Sequence, residues 1–449
     1  MKYFGTDGIR QEAEKFTPEF LTSIVIGLAD YAEKKLDGAE YKVLVGGDTR
    51  ESSEWIIEDL AIALESLGID YASVGVLPTP AINYCFAKMG FDFAIDVTAS
   101  HNPYTDNGIK IFERTLEASD PETAGRKLSE EGCAIIEQAI IEQKTTNLVS
   151  PTDREDLHEE AVEIYKEHLL DYLGSINFSG LRIGIDCANG ATSVLGDEVF
   201  KQLGAETYLI NADETYGQKI NLDCGSTHLE ALTKLVLENE LDFGVAFDGD
   251  GDRVLMVDRN GEVVDGDEII AILADYLNLD KIAITVMANQ GILNWANDNN
   301  IEAEITAVGD SNVAAAMRLK DIKIGGEQSG HIILPNQATG DGMLTALVVT
   351  KAIAEKKMLL DTLKKIITKF PQVMVNLTAT KEQKTALKEK EAAKKLLLDF
   401  NKKLEKVSGR LLVRPSGTEN LIRITMWGED KSAIENLADE LKTKLGEIL

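Results

Sequence analysis

The chain has 449 residues, more than one hydrophobic core normally serves, so roughly two to four domains are expected. Its formal charge of −30, from 46 basic and 76 acidic residues, argues against nucleic acid and against an anionic membrane surface as partners. A small anionic substrate is admissible only where Lys and Arg side chains converge and override that field.

A hydrophobic fraction of 44% with 6% aromatics is ordinary for globular packing. Cys85, Cys133, Cys187 and Cys224 show no C-x-x-C pair or other metal spacing, and read as reduced thiols. The amino end, MKYFGTDGIR, runs into polar sequence without a basic and apolar leader. No apolar window long enough to span a bilayer follows, so a cytoplasmic location is expected.

Along the chain, YKVLVGGDTRESS at 41–53 reads as strand, loop and helix. In DFAIDVTASHNPYTDNGIKIF at 92–112, an apolar strand runs into a loop of Thr, Ser, His, Asn and Pro. Ser100 falls at the strand end beside His101 and one loop from Lys110, which offers a nucleophilic hydroxyl, a base and a cation. The same residues read equally as an ordinary Asx/Ser turn. No G-x-S-x-G elbow points to a hydrolase. The stretch TTNLVSPTDRED at 145–156 is polar and turn-rich, as a boundary should be. LRIGIDCANGATS at 181–193 and KIAITVMANQGIL at 281–293 repeat the strand, loop and helix pattern, which suggests three similar α/β domains in tandem. Chance similarity of buried strands is the alternative.

VAFDGDGDRVLMVD at 245–258 places Asp248, Asp250 and Asp252 two apart on a turn that Gly249 and Gly251 make possible. These are hard oxygen ligands of the kind Mg²⁺ prefers, and their mutual repulsion calls for a cation or for partial protonation. A solvated acidic hairpin competes. A Ca²⁺ loop does not, because its sixth position is Arg253 rather than Gly and its twelfth is Arg259 rather than Glu. KIGGEQSGHIIL at 323–334 offers Glu327, Ser329 and His331 to sugar hydroxyls, or is a plain turn. Near 370–383 a last unit begins, with a charged surface helix expected over 379–407. LLVRPSGTENLIRI at 411–424 then reads as strand, turn and strand. There Arg414, Ser416, Gly417 and Thr418 supply a guanidinium, hydroxyls and backbone N–H groups, the ingredients of a phosphate nest, with a tight turn as the rival reading.

FGTDGIR at 4–10, TASHNP at 98–103, DGDGDR at 248–253, GEQSGH at 326–331 and RPSGTE at 414–419, in that order, resemble the α-D-phosphohexomutases over the whole chain. NLDCGSTHLE at 221–230 and NGEVVDGDEI at 260–269 make it most similar to the bacterial members that act on glucosamine phosphate. The resemblance implies three tandem mixed-sheet α/β domains and a smaller C-terminal α+β domain around a central cleft. The boundaries implied are 1–150, 151–255, 256–369 and 370–449.

It also implies a mechanism in which phosphorylated Ser100 completes a Mg²⁺ site with Asp248, Asp250 and Asp252. A hexosamine 6-phosphate takes up that phosphoryl group, turns round as a bisphosphate and leaves as the 1-phosphate, upstream of UDP-N-acetylglucosamine and cell-wall synthesis. A sugar bisphosphate would act as activator. Lys110 would be a general acid or base beside His101, and Arg10 and Arg253 would neutralise charge. Glu327, Ser329 and His331 would meet the sugar, while Arg414, Ser416, Gly417, Thr418 and Arg423 would hold the idle phosphate. A monomer or homodimer is expected. The chain departs from the family at Gln11, Gly47 and Asn420, and at Ser311 in VGDSNV, where glucosamine-type members carry arginine. A hexose enzyme acting on glucose or mannose phosphates is therefore the alternative.

Overall fold

The computed structural model of the protein describes residues 1–5, 7–115, 120–149, 155–213, 215, 217–405, 409–416 and 420–449. They form two compact units, one of residues 1–285 and 304–365, the other of 286–303 and 366–449.

In the first unit, Lys42–Gly47 lies between Phe93–Val97 and Asp70–Val76, all three parallel. Asp106–Arg114 adds antiparallel to Phe93–Val97, and Gly8–Glu12 and then Phe4–Gly5 continue the sheet. Parallel strands are covered on both faces, which is why Phe93–Val97 is an unbroken buried run rather than an alternating one. The helices Pro18–Lys35 and Glu51–Ser66 supply part of that cover through Leu28, Ile56 and Leu60, which pack on Val45 and Ile95. Thr17 caps the first helix by accepting from Phe20 N, with Pro18 at its first position.

A second sheet repeats the plan. Arg182–Asp186 lies parallel between Glu206–Ile210 and Phe243–Phe247, and Val254–Asp258 returns antiparallel to the latter. A third pairs Lys281–Thr285 parallel to Gly325–Gly326, which pairs antiparallel to Ile332–Ile333. The carboxyl ends of the central strands therefore release the Asp48–Arg50, Ser100 and Asp248–Arg253 loops, where open α/β sheets present their chemistry.

In the second unit, Leu421–Trp427 runs antiparallel between Gln372–Thr378 and Arg410–Pro415. Ile422, Ile424, Phe400 and Leu441 share its core.

Two segments differ from the sequence reading. After Arg182–Asp186 comes a single tight turn at Ala191–Val194, and the helix that follows covers only Glu198–Gln202. Ala188 and Asn189 take positive φ there, and a Cβ on Gly190 would come 2.3 Å from the Gly249 oxygen, so the chain is spent on packing against the acidic turn. The helix expected over 379–407 is two helices, Lys381–Glu389 and Glu391–Glu405, broken at an extended Lys390. In one continuous helix Leu387 and Phe400 would point about 140° apart. The break lets both reach the same core.

Candidate active site

Asp248, Asp250 and Asp252 offer carboxylate oxygens within 4.8 Å of one another, all buried. Gly251 takes a φ of +71° to make the turn. Gly249 is needed for a different reason, since a Cβ there would come 2.6 Å from the carbonyl oxygen of Ser100. The serine loop and the acidic turn thus touch through backbone. Ser100 is fully buried with a φ of +53°, a left-handed backbone that costs a non-glycine residue on the order of 1–2 kcal/mol. Its hydroxyl donates to Asp248 Oδ2 at 2.7 Å and lies 3.3 Å from His101 Nδ1. Sequence alone left that loop balanced between a nucleophile and a turn; the structure aims its hydroxyl at the acidic cluster.

Lys110, 3% exposed, donates from Nζ to Asp250 Oδ2 at 2.6 Å and Asp252 Oδ2 at 3.0 Å. Burial opposes its charge, but Asp250, Asp252, Asp7 and Asp96 outweigh that and hold the ammonium far above the usual lysine range. The carboxylates hold it as a cation. Burial, with Arg253 and Arg10 nearby, pushes the His101 imidazole down to about 4, so this ring is neutral at physiological pH. Burial and its two acidic neighbours raise the Asp248 carboxyl. At Asp252 burial is outweighed by Lys110, His331 and Arg253, which leave the carboxyl well below the usual range.

These residues suit a hard divalent cation. The three carboxylates converge, and Asp250 Oδ1 and Asp252 Oδ1 are buried without a hydrogen-bond partner. Asp248, Asp250 and Asp252 would hold such an ion.

The other candidates are placed as follows. Arg10 pairs with Asp7, which also meets Lys127, and Lys110 Nζ is 3.4 Å from the same carboxylate. Arg253 donates from its backbone N to Asp248 Oδ1 at 3.1 Å, and its Nε lies 3.8 Å from Asp252 Oδ1. Glu327 accepts from Gly309 N at 3.0 Å, and Ser329 is exposed on the same turn. His331 is buried with Nδ1 3.6 Å from Asp252 Oδ1, and its Nε2 accepts from Gly340 N. A cavity of about 570 Å³ is lined by Asp7, Lys110, Lys127, Asp310, Ser311 and His331 among others. In the second unit, Arg414 and Arg423 face each other across paired strands, and Ser416 N donates to Leu421 O at 2.9 Å. Gly417 and Thr418 lie outside the described residues.

Sequence reading missed several participants. Arg50 is fully buried against Asp48, Thr79 hydrogen-bonds Asp96 and Asp250, and Lys127 bridges Asp7 and Asp310. For Arg50 a signal was present, a charged pair directly after the apolar run KVLVGG. For Lys127 there was none.

The chain matches the phosphoglucomutase/phosphomannomutase family throughout, with alpha/beta/alpha domain I at 1–129, domain II at 163–261, domain III at 265–371 and the C-terminal domain at 374–444. It is 40% identical to the phosphoglucosamine mutase of Caldicellulosiruptor bescii over 98% of either chain, and 38% identical to that of Clostridium tetani over 98% of either. The chain belongs to the phosphoglucomutase/phosphomannomutase family.

Like its relatives, this phosphohexomutase is an isomerase that transfers phosphate intramolecularly. Solved structures agree on the fold. A phosphoglucomutase/phosphomannomutase family protein of Burkholderia thailandensis superposes with a TM-score of 0.78 at 22% identity, covering 99% of this chain and 97% of that one. The N-acetylphosphoglucosamine mutase of Aspergillus fumigatus, in complex with GlcNAc-6P and magnesium, does so at 0.67 and 16%, covering 95% and 96%. Among the described residues no helix is long and apolar enough to cross a membrane.

Proposed function

We propose that this phosphohexomutase interconverts glucosamine 6-phosphate and glucosamine 1-phosphate, with Ser100 carrying the phosphoryl group. One observation carries the reading: a fully buried serine in left-handed backbone with its hydroxyl 2.7 Å from the acidic turn. The names of the full-length relatives support the sugar, and the magnesium in the Aspergillus complex supports the metal.

In the first transfer the sugar O1 attacks the phosphorus of phosphorylated Ser100 and the bond from phosphorus to Ser100 Oγ breaks. Lys110 is the cationic group from which the departing serine oxygen takes a proton, and neutral His101 is the acceptor for the proton of the attacking hydroxyl. The 1,6-bisphosphate turns round. The Ser100 hydroxyl then attacks the phosphorus on O6 and passes its proton to Lys110, the bond to O6 breaks with O6 taking the proton held by His101, and the 1-phosphate leaves. Neutralising charge on the phosphoryl oxygens is what a magnesium ion supplies when held by Asp248, Asp250, Asp252 and the serine phosphate. Arg10 and Arg253 add fixed positive charge. Glu327, Ser329 and His331 orient the sugar.

Arg414, Ser416, Gly417, Thr418 and Arg423 hold the idle phosphate. Arg414 and Arg423 stand opposite each other on paired strands, which brings two guanidinium groups to one end of the sheet. Free sugar bisphosphate primes the serine, in the cytoplasm, ahead of UDP-N-acetylglucosamine and cell-wall synthesis. The four successive family matches support a division into four domains.

Intact-mass measurement on the purified enzyme should show one added phosphoryl group that disappears in Ser100→Ala, with kcat reduced at least about 10³-fold. Wild-type turnover by that variant would sink the assignment. Among glucosamine, glucose and mannose 6-phosphates, kcat/KM should be highest for glucosamine. A preference for either hexose would overturn the sugar and leave the mutase standing.

A further inference from the structure

Asn221 opens the NLDCGSTHLE stretch, to which the mechanism above gives no task. It sits between the strands Glu206–Ile210 and Phe243–Phe247 of the second sheet, far in sequence from the serine loop, yet its side-chain Nδ2 donates to the Ser100 carbonyl oxygen at 2.8 Å. The Arg50 guanidinium donates to the same oxygen at 2.9 Å, and to the carbonyls of Asn102 at 2.9 Å and Asp106 at 3.0 Å. In the preceding peptide group, Ser100 N donates to Thr98 Oγ1 at 2.8 Å. That hydroxyl donates on to Asp48 Oδ2 at 2.7 Å, and Asp48 pairs with Arg50 at 2.9 Å. Arg50 and Asp48 are both fully withdrawn from solvent.

The ring of contacts closes on the backbone of one residue, gripping the peptide group on either side of the Ser100 Cα. Left-handed backbone is disfavoured for serine, and a buried carbonyl left without donors would cost roughly 1–3 kcal/mol more. Two donors on one carbonyl oxygen and one acceptor on the amide select this conformation against the extended one. The choice has a chemical consequence, because the left-handed angle is what aims the hydroxyl at Asp248. Asn221 is itself left-handed, with a φ of +57°, and a Cβ on Gly249 would collide with both its Nδ2 and the Ser100 oxygen. The acidic turn, Asn221 and the serine loop are therefore fitted to one another.

We infer that Asn221 is a positioning residue for the phosphoryl carrier: with Arg50 it grips the Ser100 carbonyl and sets the backbone angle that aims Oγ into the acidic cluster. The inference rests on the reading of Ser100 as the carrier. Asn221 touches neither Oγ nor the carboxylates, so it acts through geometry alone.

The test uses the full-length enzyme with Mg²⁺, and two variants that keep the left-handed angle accessible. Asn221→Gly deletes the amide, and Asn221→Asp replaces a donor facing a carbonyl with a carboxylate. Both should lower kcat by about 10- to 100-fold while KM for the sugar phosphate stays within about twofold. The serine should remain phosphorylated by intact mass, and its single-turnover transfer to substrate should slow in step with kcat. Arg50→Lys, which keeps the charge but loses the fork, should fall the same way. If both Asn221 variants turn over at the wild-type rate, the inference is wrong. It is equally wrong if kcat and KM deteriorate together with the melting temperature, the pattern of a merely structural residue. Ser100→Ala separates the two levels. Should it retain activity, the carrier assignment itself fails; should it be dead while Asn221→Gly is normal, only the positioning role falls.

Discussion

Ser100 and Gly249 meet through backbone atoms, an approach that leaves no room for even one methyl group. In Gly249→Ala the added Cβ would stand 2.6 Å from the Ser100 oxygen and 2.7 Å from Asn221 Nδ2, both already fixed by hydrogen bonds. The turn must retreat, at a cost of about 1–3 kcal/mol in urea unfolding and about tenfold or more in kcat. An alanine variant with unaltered kcat would show that the contact is slack. At this scale sequence reveals chemistry better than geometry. The three aspartates were legible because their spacing with glycine is itself the signal. Ser100 was legible only as one of two readings, since its partner Asp248 lies 148 positions away. Asn221 was silent because it acts on a backbone carbonyl, which carries no mark in the sequence.

The helix Gly342–Lys356 starts from Asp341, whose Oδ1 accepts from Leu344 N while Oδ2 accepts from the Tyr165 hydroxyl. Burial pushes this carboxyl up to about 6, against an ordinary 3.8. The folded protein then holds a proton that the unfolded chain has released. The stabilisation is complete below about 3.8 and is lost as pH rises through about 6. Asp341→Asn keeps the cap without the ionisation. Urea unfolding should show the variant gaining on the wild type between pH 4 and pH 7, by up to about 3 kcal/mol, and level beyond. A pH-independent difference would mean that the carboxyl is not buried as a neutral acid. Element boundaries were harder to read than element types. Lys381–Glu389 and Glu391–Glu405 merge in sequence because both are rich in helix formers. The break at Lys390 follows from where Leu387 and Phe400 must point, a tertiary demand that propensity does not encode.

Over the whole molecule, the charge of −30 is a standing repulsion that folding concentrates. Screening should relieve it, so the melting temperature should rise by about 5 °C between 10 mM and 200 mM NaCl, read by calorimetry. A flat or falling response would show that exposed ion pairs, such as Lys34 with Glu131, contribute more than net repulsion. The alternation of strand and helix patterns made the class of fold readable. The grouping of residues 286–303 with 366–449 was not readable, because nothing local records it. Asn289 exchanges two 2.9 Å hydrogen bonds with the backbone of Phe370, and Arg410 reaches the Ala288 carbonyl from a strand more than a hundred positions later. For a ribosome, which delivers the chain in one direction, this sets a schedule. The helix Gln290–Asp298 is made early but waits for the last part of the chain before its own neighbours exist. A nascent protein stalled before residue 366 would carry that helix without the unit it belongs to.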